Sequence, residues 1–340
     1  MRVWFNRTFS SVATAMRLIR QEDRAGRYRL IYTAGSAGIA AAAADHFELE
    51  PKLKGEEYLA WCLDFCRRHE VGIFVPGREA ALISGAAERF AAMGTRVLTV
   101  GSPAVLELLH DKARFYATVD LPLAAPPETL PFTTLAGFDA AHAVLRAKHG
   151  KLCVKPSQSV YGLGFAILDE RRSSAQLLLA GEQYHIGLED LRTGLGQLED
   201  FRTMLLMEYL DGHEYSVDCV GDAGRLVCAV PRRKPMAAGT GQVIDPRADI
   251  LAATAKLTAD YGLNGLFNVQ FREHEGRLRL LEINPRMSGG IGMACLAGPV
   301  LPYVALAGFD QGFDRIDIPP VRAGVRVAEA ALPVVLAEDA

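Results

Sequence analysis

The chain has 340 residues, beyond the size at which one hydrophobic core keeps growing, so two or three domains are expected and a single small module is excluded. Half of the residues are hydrophobic and 23% are charged, which excludes a disordered chain, and no run of about 18 apolar residues is present to span a bilayer. Lys and Arg number 37 against 40 Asp and Glu, a net charge of -3 that offers no overall field to nucleic acid or an anionic membrane, so any phosphate site is local.

The N-terminal stretch carries Arg2, Arg7, Arg17 and Arg20 and no acid before Glu22, which superficially matches a transit peptide. A strand and a helix explain it better. Val3-Trp4-Phe5 is a short apolar run, Ser10-Ser11 can cap a helix, and Val12, Ala15, Met16 and Ile19 recur at helical spacing. The alternation then continues as strand 29–33, helix 56–69, strand 71–75, helix 79–93 and strand 96–100, which predicts a parallel sheet in a domain over 1–104. Gly35 and Gly38 after the second strand lack a third glycine and an acidic partner, so a nicotinamide site is not expected. The alanine run 40–44 reads as ordinary helix.

Six cysteines without a CxxC pair suit reduced thiols and a cytoplasmic setting. Cys62, Cys66 and His69 share one helical face and could in principle hold a metal, but Trp61, Leu63 and Phe65 give that face core character.

After residue 103 the texture changes: a helix 105–118, a proline-rich 121–131, a helix 138–149 and a strand 152–155 open a second domain over 105–206. From 207 the pattern is mainly strand, at 214–220, 225–230, 266–271 and 277–283, with a helix at 246–261, an α+β unit with an antiparallel sheet over 207–340.

The residues with most chemistry lie in Asn268-Val-Gln270-Phe and Leu280-Leu-Glu282-Ile-Asn284-Pro-Arg286. Glu282 and Asn284, two apart on a strand, project together. A three-residue hairpin loop at 274–276 sets Asn268 opposite Glu282, and Gln270 opposite Leu280 and diagonal to Glu282. One carboxylate with two amide oxygens suits Mg²⁺, with Mn²⁺ as an alternative, and is a poor zinc set. Upstream, Lys155-Pro-Ser157 leads into Gly162-Leu-Gly164, a small-residue loop whose backbone N–H groups can cradle phosphate beside an ammonium. Lys112 alone reads as a helical surface residue. Met207-Glu208-Tyr209-Leu210 reads as an apolar linker offering backbone groups to a purine edge, with Glu214 placed to accept bonds from ribose hydroxyls.

With these motifs together the sequence resembles the ATP-grasp superfamily, and within it the synthetase units of the carbamoyl-phosphate synthetase large chain and biotin carboxylase. The resemblance covers about residues 1–310 and rests on Pro76-Gly77, Asp111-Lys112, Val154-Lys155-Pro156 with its glycine loop, Glu208-Tyr-Leu, Asn268-Val-Gln270-Phe and Glu282-x-Asn284-Pro-Arg286. It implies an N-terminal Rossmann-like pre-ATP-grasp domain followed by a two-lobed ATP-grasp domain. It further implies ATP phosphates on Lys112 and Lys155 under the mobile 157–164 loop, adenine at Glu208, Tyr209 and Leu210, and ribose at Glu214. Mg²⁺ would be held by Gln270, Glu282 and Asn284, and the transferring phosphoryl group steadied by Arg286, with Arg232-Arg233-Lys234 facing the acceptor.

The sequence holds one such unit, with no amidotransferase part, second synthetase half or biotin carrier, and Ser288-Gly289-Gly290 stands where carbamoyl-phosphate synthetases are bulkier. The expected activity is therefore a ligase that turns a small-molecule carboxylate into an acyl phosphate for an amine or other nucleophile. Carboxylate or carbamate phosphotransfer and a silent ATP-binding regulatory module are the alternatives, and a homodimer is left open. The tail from 316 on, strand-like over 325–335, is placed to cover a sheet edge or meet a partner subunit.

Overall fold

A computed structural model describes residues 1–7, 11–159, 162–236 and 241–330. They form a mixed α/β fold with three sheets. The cap expected from Ser10, and the tail beyond 330, lie outside the described residues. No helix among the described residues is long and apolar enough to cross a membrane.

The first sheet holds β1 (Arg2–Phe5), β2 (Arg29–Ala34), β3 (His46–Leu49), β4 (Ile73–Val75) and β5 (Arg96–Val97) in the order β3-β2-β1-β4-β5, with every pair parallel. A parallel sheet is covered on both faces, which is why its inner strands read as continuous apolar runs. The period of two sends Val3 and Phe5 to one side, against Val12, Met16 and Ile19 of α1 (Ser11–Glu22). Trp4 goes to the other side, stacked on Phe74 at 3.9 Å and Phe65 at 4.4 Å, against α2 (Gly55–Arg68). The expected helix over 79–93 is two short ones, α3 (Ala80–Gly85) and α4 (Ala87–Ala91). The alanine run gives one 3₁₀ turn at Ala41–Ala43 in place of the expected helix. β3 escapes sequence reading because an edge strand half open to solvent needs no apolar run.

The expected helix over 105–118 breaks at Asp111 into α5 (Pro103–His110) and α6 (Lys112–Thr118). Asp111 takes an extended backbone and its side chain accepts from Ala113 N and Arg114 N as the N-cap of α6. The second sheet contains β6 (Thr129–Phe132), β7 (Leu152–Pro156), β8 (Ala166–Asp169), β9 (His185–Gly187) and β10 (Met204–Glu208), ordered β6-β10-β7-β8-β9. The segment read as a linker at 207–210 thus begins as the end of a central strand, antiparallel to β6 and β7.

The third sheet orders β11 (Glu214–Asp222), β12 (Arg225–Arg233), β13 (Gln242–Ile244), β14 (Gly265–His274), β15 (Arg277–Asn284) and β16 (Arg326–Val327) as β15-β14-β11-β12-β13-β16. β16 pairs antiparallel with β13, so the tail does cover a sheet edge.

The β14–β15 hairpin corrects one expectation. Glu275 and Gly276 both lie at positive φ, 48° and 72°, which makes a two-residue turn with His274, in place of Glu273, facing Arg277. The register count shifts by one, and the pairing of Asn268 with Glu282 and of Gln270 with Leu280 inferred from a longer loop is not supported by this turn.

By chain contacts the protein divides into two compact units, one of residues 1–107, 213–271 and 282–340, the other of 108–212 and 272–281.

Candidate active site

In the second unit, the residues expected at phosphates are knit together by Asp111. Its carboxylate accepts from Ser157 Oγ at 2.5 Å and from Gln158 Nε2 at 3.3 Å, while Ala113 N donates to Ser157 Oγ at 3.0 Å and Lys112 N to Ser157 O at 3.0 Å. The start of α6 is thereby clasped to the end of β7. Lys112 is buried, with its Nζ 3.3 Å from Ser159 O. Lys155 donates to Tyr116 Oη at 3.1 Å, and that hydroxyl donates to Leu281 O at 2.5 Å. Gly162 and Gly164 sit at φ 68° and 82°, and a Cβ on Gly164 would meet Pro156 at 2.8 Å; glycine is therefore required at 164 by both strain and space. Val160 and Tyr161 of the expected lid lie outside the described residues.

Burial works against ionising Asp111, but the bonds from Ser157, Arg114 N, Gln158 and Ala113 N prevail and hold its carboxyl below the usual range. Asp111→Ala removes both cap and clasp and is expected to cost ~1–2 kcal/mol of unfolding free energy at pH 7. A carboxyl depressed in the folded state stabilises above its unfolded value of about 3.9 and loses that contribution as pH falls through the folded value. Urea unfolding at pH 7 and pH 3 should therefore show the gap between wild type and variant narrowing in acid.

Glu208 ends β10 with its carboxylate buried, 3.3 Å from His149 Nδ1 and 3.5 Å from Arg279 Nε. Both ion-pair partners hold that carboxylate inside the protein. Tyr209 N donates to Lys151 O at 3.0 Å, and the Tyr209 ring lies 5.7 Å from the Arg272 guanidinium. Leu210 is buried.

In the first unit, Glu214 opens β11 and pairs with Lys234. Arg233 Nε lies 3.3 Å from Asp245. Asn284 Nδ2 donates to Glu282 Oε1 at 2.8 Å, so the expected metal carboxylate and one of its amides are in contact. Gln270 is half-buried on β14, two residues from Asn268 and hence on the same face. Arg286 Nη1 donates to Met287 O at 3.1 Å.

Arg232 is the residue whose setting sequence reasoning missed. It is buried at 2% exposure and donates to Asp218 Oδ2 from Nε at 3.1 Å and Nη2 at 2.9 Å, to Ser216 at 3.1 Å and to Ser288 at 2.9 Å. Gln242 accepts its remaining nitrogen. Asn268 joins the same network, donating to Ser216 Oγ and Asp218 Oδ1 at 3.0 and 3.1 Å, and its Oδ1 is buried with no hydrogen-bond partner among the described residues. A Cβ on Gly290 would lie 2.6 Å from the Arg232 guanidinium, so the small residues after Arg286 make room for an arginine of the protein itself. The signal in the sequence was Asp218, an acid in the middle of an apolar strand that requires a buried partner.

Gly35, Ser36 and Gly38 line an open cleft of about 800 Å³ beside the strand ends of the first sheet, with Arg7, Glu50 and Arg78. Glu50 comes directly after β3, but it accepts from Thr33 Oγ1 and Arg78 Nη1 at 2.8 and 3.0 Å, so it is engaged by the protein itself.

Residues 200–332 match the family model described as ATP-grasp in the biosynthetic pathway with Ter operon. That stretch of the chain is similar to ATP-grasp proteins. Among curated relatives, carnosine synthase 1 of Mus musculus is 36% identical over 123 residues, 33% of this chain and 14% of that protein. The carbamoyl phosphate synthase large chain of Corynebacterium glutamicum is 25% identical over 283 residues, 73% of this chain and 23% of the relative. The chain thus spans only a minor part of either relative. A biotin carboxylase complex with β-γ-ATP from Campylobacter jejuni shares the fold at TM-score 0.62 and 15% identity, over 96% of this chain and 74% of that one.

Proposed function

We propose that this protein is an ATP-dependent carboxylate-amine ligase. The observation that carries the reading is the contact of Glu282 with Asn284 in a stretch that matches an ATP-grasp model; with Gln270 they would offer one carboxylate and two amides, a hard-oxygen donor set. These three residues have the donor chemistry for Mg²⁺, and Asn268, with its unpartnered buried oxygen, lies two residues from Gln270 on the same face of β14. The ion would supply charge neutralisation for ATP phosphates. The parallel sheet over 1–104 is read as a Rossmann-like pre-ATP-grasp domain, with 105–206 and 207–340 as the two ATP-grasp lobes.

The residue roles follow from the ATP-grasp resemblance together with the chemistry of each side chain. Lys112 and Lys155 contact phosphates, with Ser157, Gly162 and Gly164 presenting backbone to them. The backbone around Glu208, Tyr209 and Leu210 meets adenine, and Glu214 meets ribose. Arg286 and Arg233 stabilise the charge that develops on phosphoryl and acceptor oxygens, while Arg232 anchors the β12 strand of Arg233 from the core. A carboxylate resists attack because its charge is delocalised and oxide leaves poorly. Transfer of the γ-phosphoryl group to a carboxylate oxygen releases ADP, and the amine nitrogen then displaces phosphate from the carbonyl carbon. Carnosine synthase 1 bears a name of the same kind of chemistry.

With the carboxylate substrate labelled by heavy oxygen, ADP is the expected nucleotide product and one labelled oxygen is expected in the inorganic phosphate. AMP with pyrophosphate overturns the mechanism. ADP with unlabelled phosphate points to hydrolysis or another acceptor.

A further inference from the structure

Outside the nucleotide residues, the first unit gathers three metal-ligating side chains on one point. His46 and Glu48, two apart on β3, share a face of an edge strand whose register is fixed by β2 through Ile31 and Thr33. His69 is the C-cap residue of α2, its ring stacked on Phe65 at 4.2 Å between centroids and its carbonyl held by Arg2 at 2.9 Å. His46 Nε2 and His69 Nε2 each lie 2.8 Å from the same oxygen, Glu48 Oε1, and the three ligand atoms fall within 4.8 Å of one another. His69 is 19% exposed, Glu48 32% and His46 47%, so the point they surround is open to water.

Two imidazole nitrogens and one carboxylate oxygen converging with an open side are the donor set of a three-ligand zinc site. We propose that His46, Glu48 and His69 bind a divalent transition ion of the zinc class, with water completing the shell. The ion would tie the exposed edge strand β3 to the C-terminal end of α2. The opposing charge is Arg68, whose Nη1 lies 3.9 Å from Glu48 Oε2 and 3.3 Å from His69 Nε2. It has a second anchor, Nε to Asp64 Oδ2 at 2.9 Å, lies over the Phe65 ring at 5.5 Å and is half-exposed, so it reaches the point from its solvent side. This site differs from the Cys62, Cys66 and His69 set weighed on the sequence. Both thiols are buried in the aromatic core, and burial pushes the Cys66 thiol up to about 12 and Cys62 above its ordinary value, which disfavours a thiolate there.

The test is titration of the chelator-stripped full chain with Zn²⁺ by calorimetry, in excess Mg²⁺ so that hard-oxygen sites are occupied. His46→Ala/His69→Ala is expected to take up one equivalent fewer than wild type. Single replacements are expected to weaken that equivalent at least ~100-fold, since even losing a group that only orients a ligand costs ~10–100-fold. Glu48→Gln preserves shape and serves where the double variant fails to fold, and is expected to weaken the same equivalent. Glu282→Ala is expected to retain it. Equal zinc uptake by wild type and both variants, or none by wild type, overturns the site.

Discussion

Glu282→Ala is expected to lower ATP-dependent turnover ~100-fold or more at saturating Mg²⁺, while leaving the fold and most of the ATP affinity in place. In the proposed donor set Glu282 is the one carboxylate beside the neutral amides of Gln270 and Asn284, and it lies 2.8 Å from the latter. Removing it takes away the only formal charge that those three residues offer a divalent ion, and with it a transition-state interaction that the remaining amides do not replace. Because the side chain is only half-buried on β15, its truncation leaves no large cavity, so folding survives. Steady-state ADP release over a panel of carboxylates and amines measures the effect. Turnover within a few-fold of wild type refutes the assignment.

Much of this was legible in the sequence because the relevant residues obey strong local rules. The inner strands of the first sheet are apolar on both faces, so Val3-Trp4-Phe5 and Ile73-Phe74-Val75 announce themselves, and Asn268-Val-Gln270-Phe and Glu282-Ile-Asn284 fall on strands as their pattern suggests. What stayed hidden was decided by tertiary context. His46-Phe-Glu-Leu49 is an edge strand with polar positions, and nothing in its pattern separates it from a loop. Asp111 looks like one more helical residue until Ser157 is brought to it. The hairpin loop was misjudged by one residue because Glu275 adopts the left-handed conformation that glycine favours. Arg232-Arg233-Lys234 is expected to face the acceptor, whereas strand alternation carries Arg232 inward and leaves Arg233 half-exposed.

Asp218→Ala is expected to destabilise the protein by ~3–5 kcal/mol, because it leaves the guanidinium of Arg232 buried without its counter-charge. Side-chain exposure is 2% for Arg232 and 0% for Asp218, at 2.9 Å, so no water replaces the lost carboxylate. The two hydroxyls of Ser216 and Ser288 remain as acceptors, but they are neutral and do not offset the desolvation of an ion. Asn268 would lose one of its acceptors in the same step. The companion variant Asp218→Leu/Arg232→Met removes both charges together, and on the same physics should cost less than Asp218→Ala alone, since paired buried charges contribute little beyond their own desolvation. Comparing the two by urea unfolding separates a buried ion pair from a merely crowded site. If Asp218→Ala unfolds within about 1 kcal/mol of wild type, the typical shift of a single substitution, Arg232 is reaching solvent, and its place as the anchor beneath Arg233 is wrong.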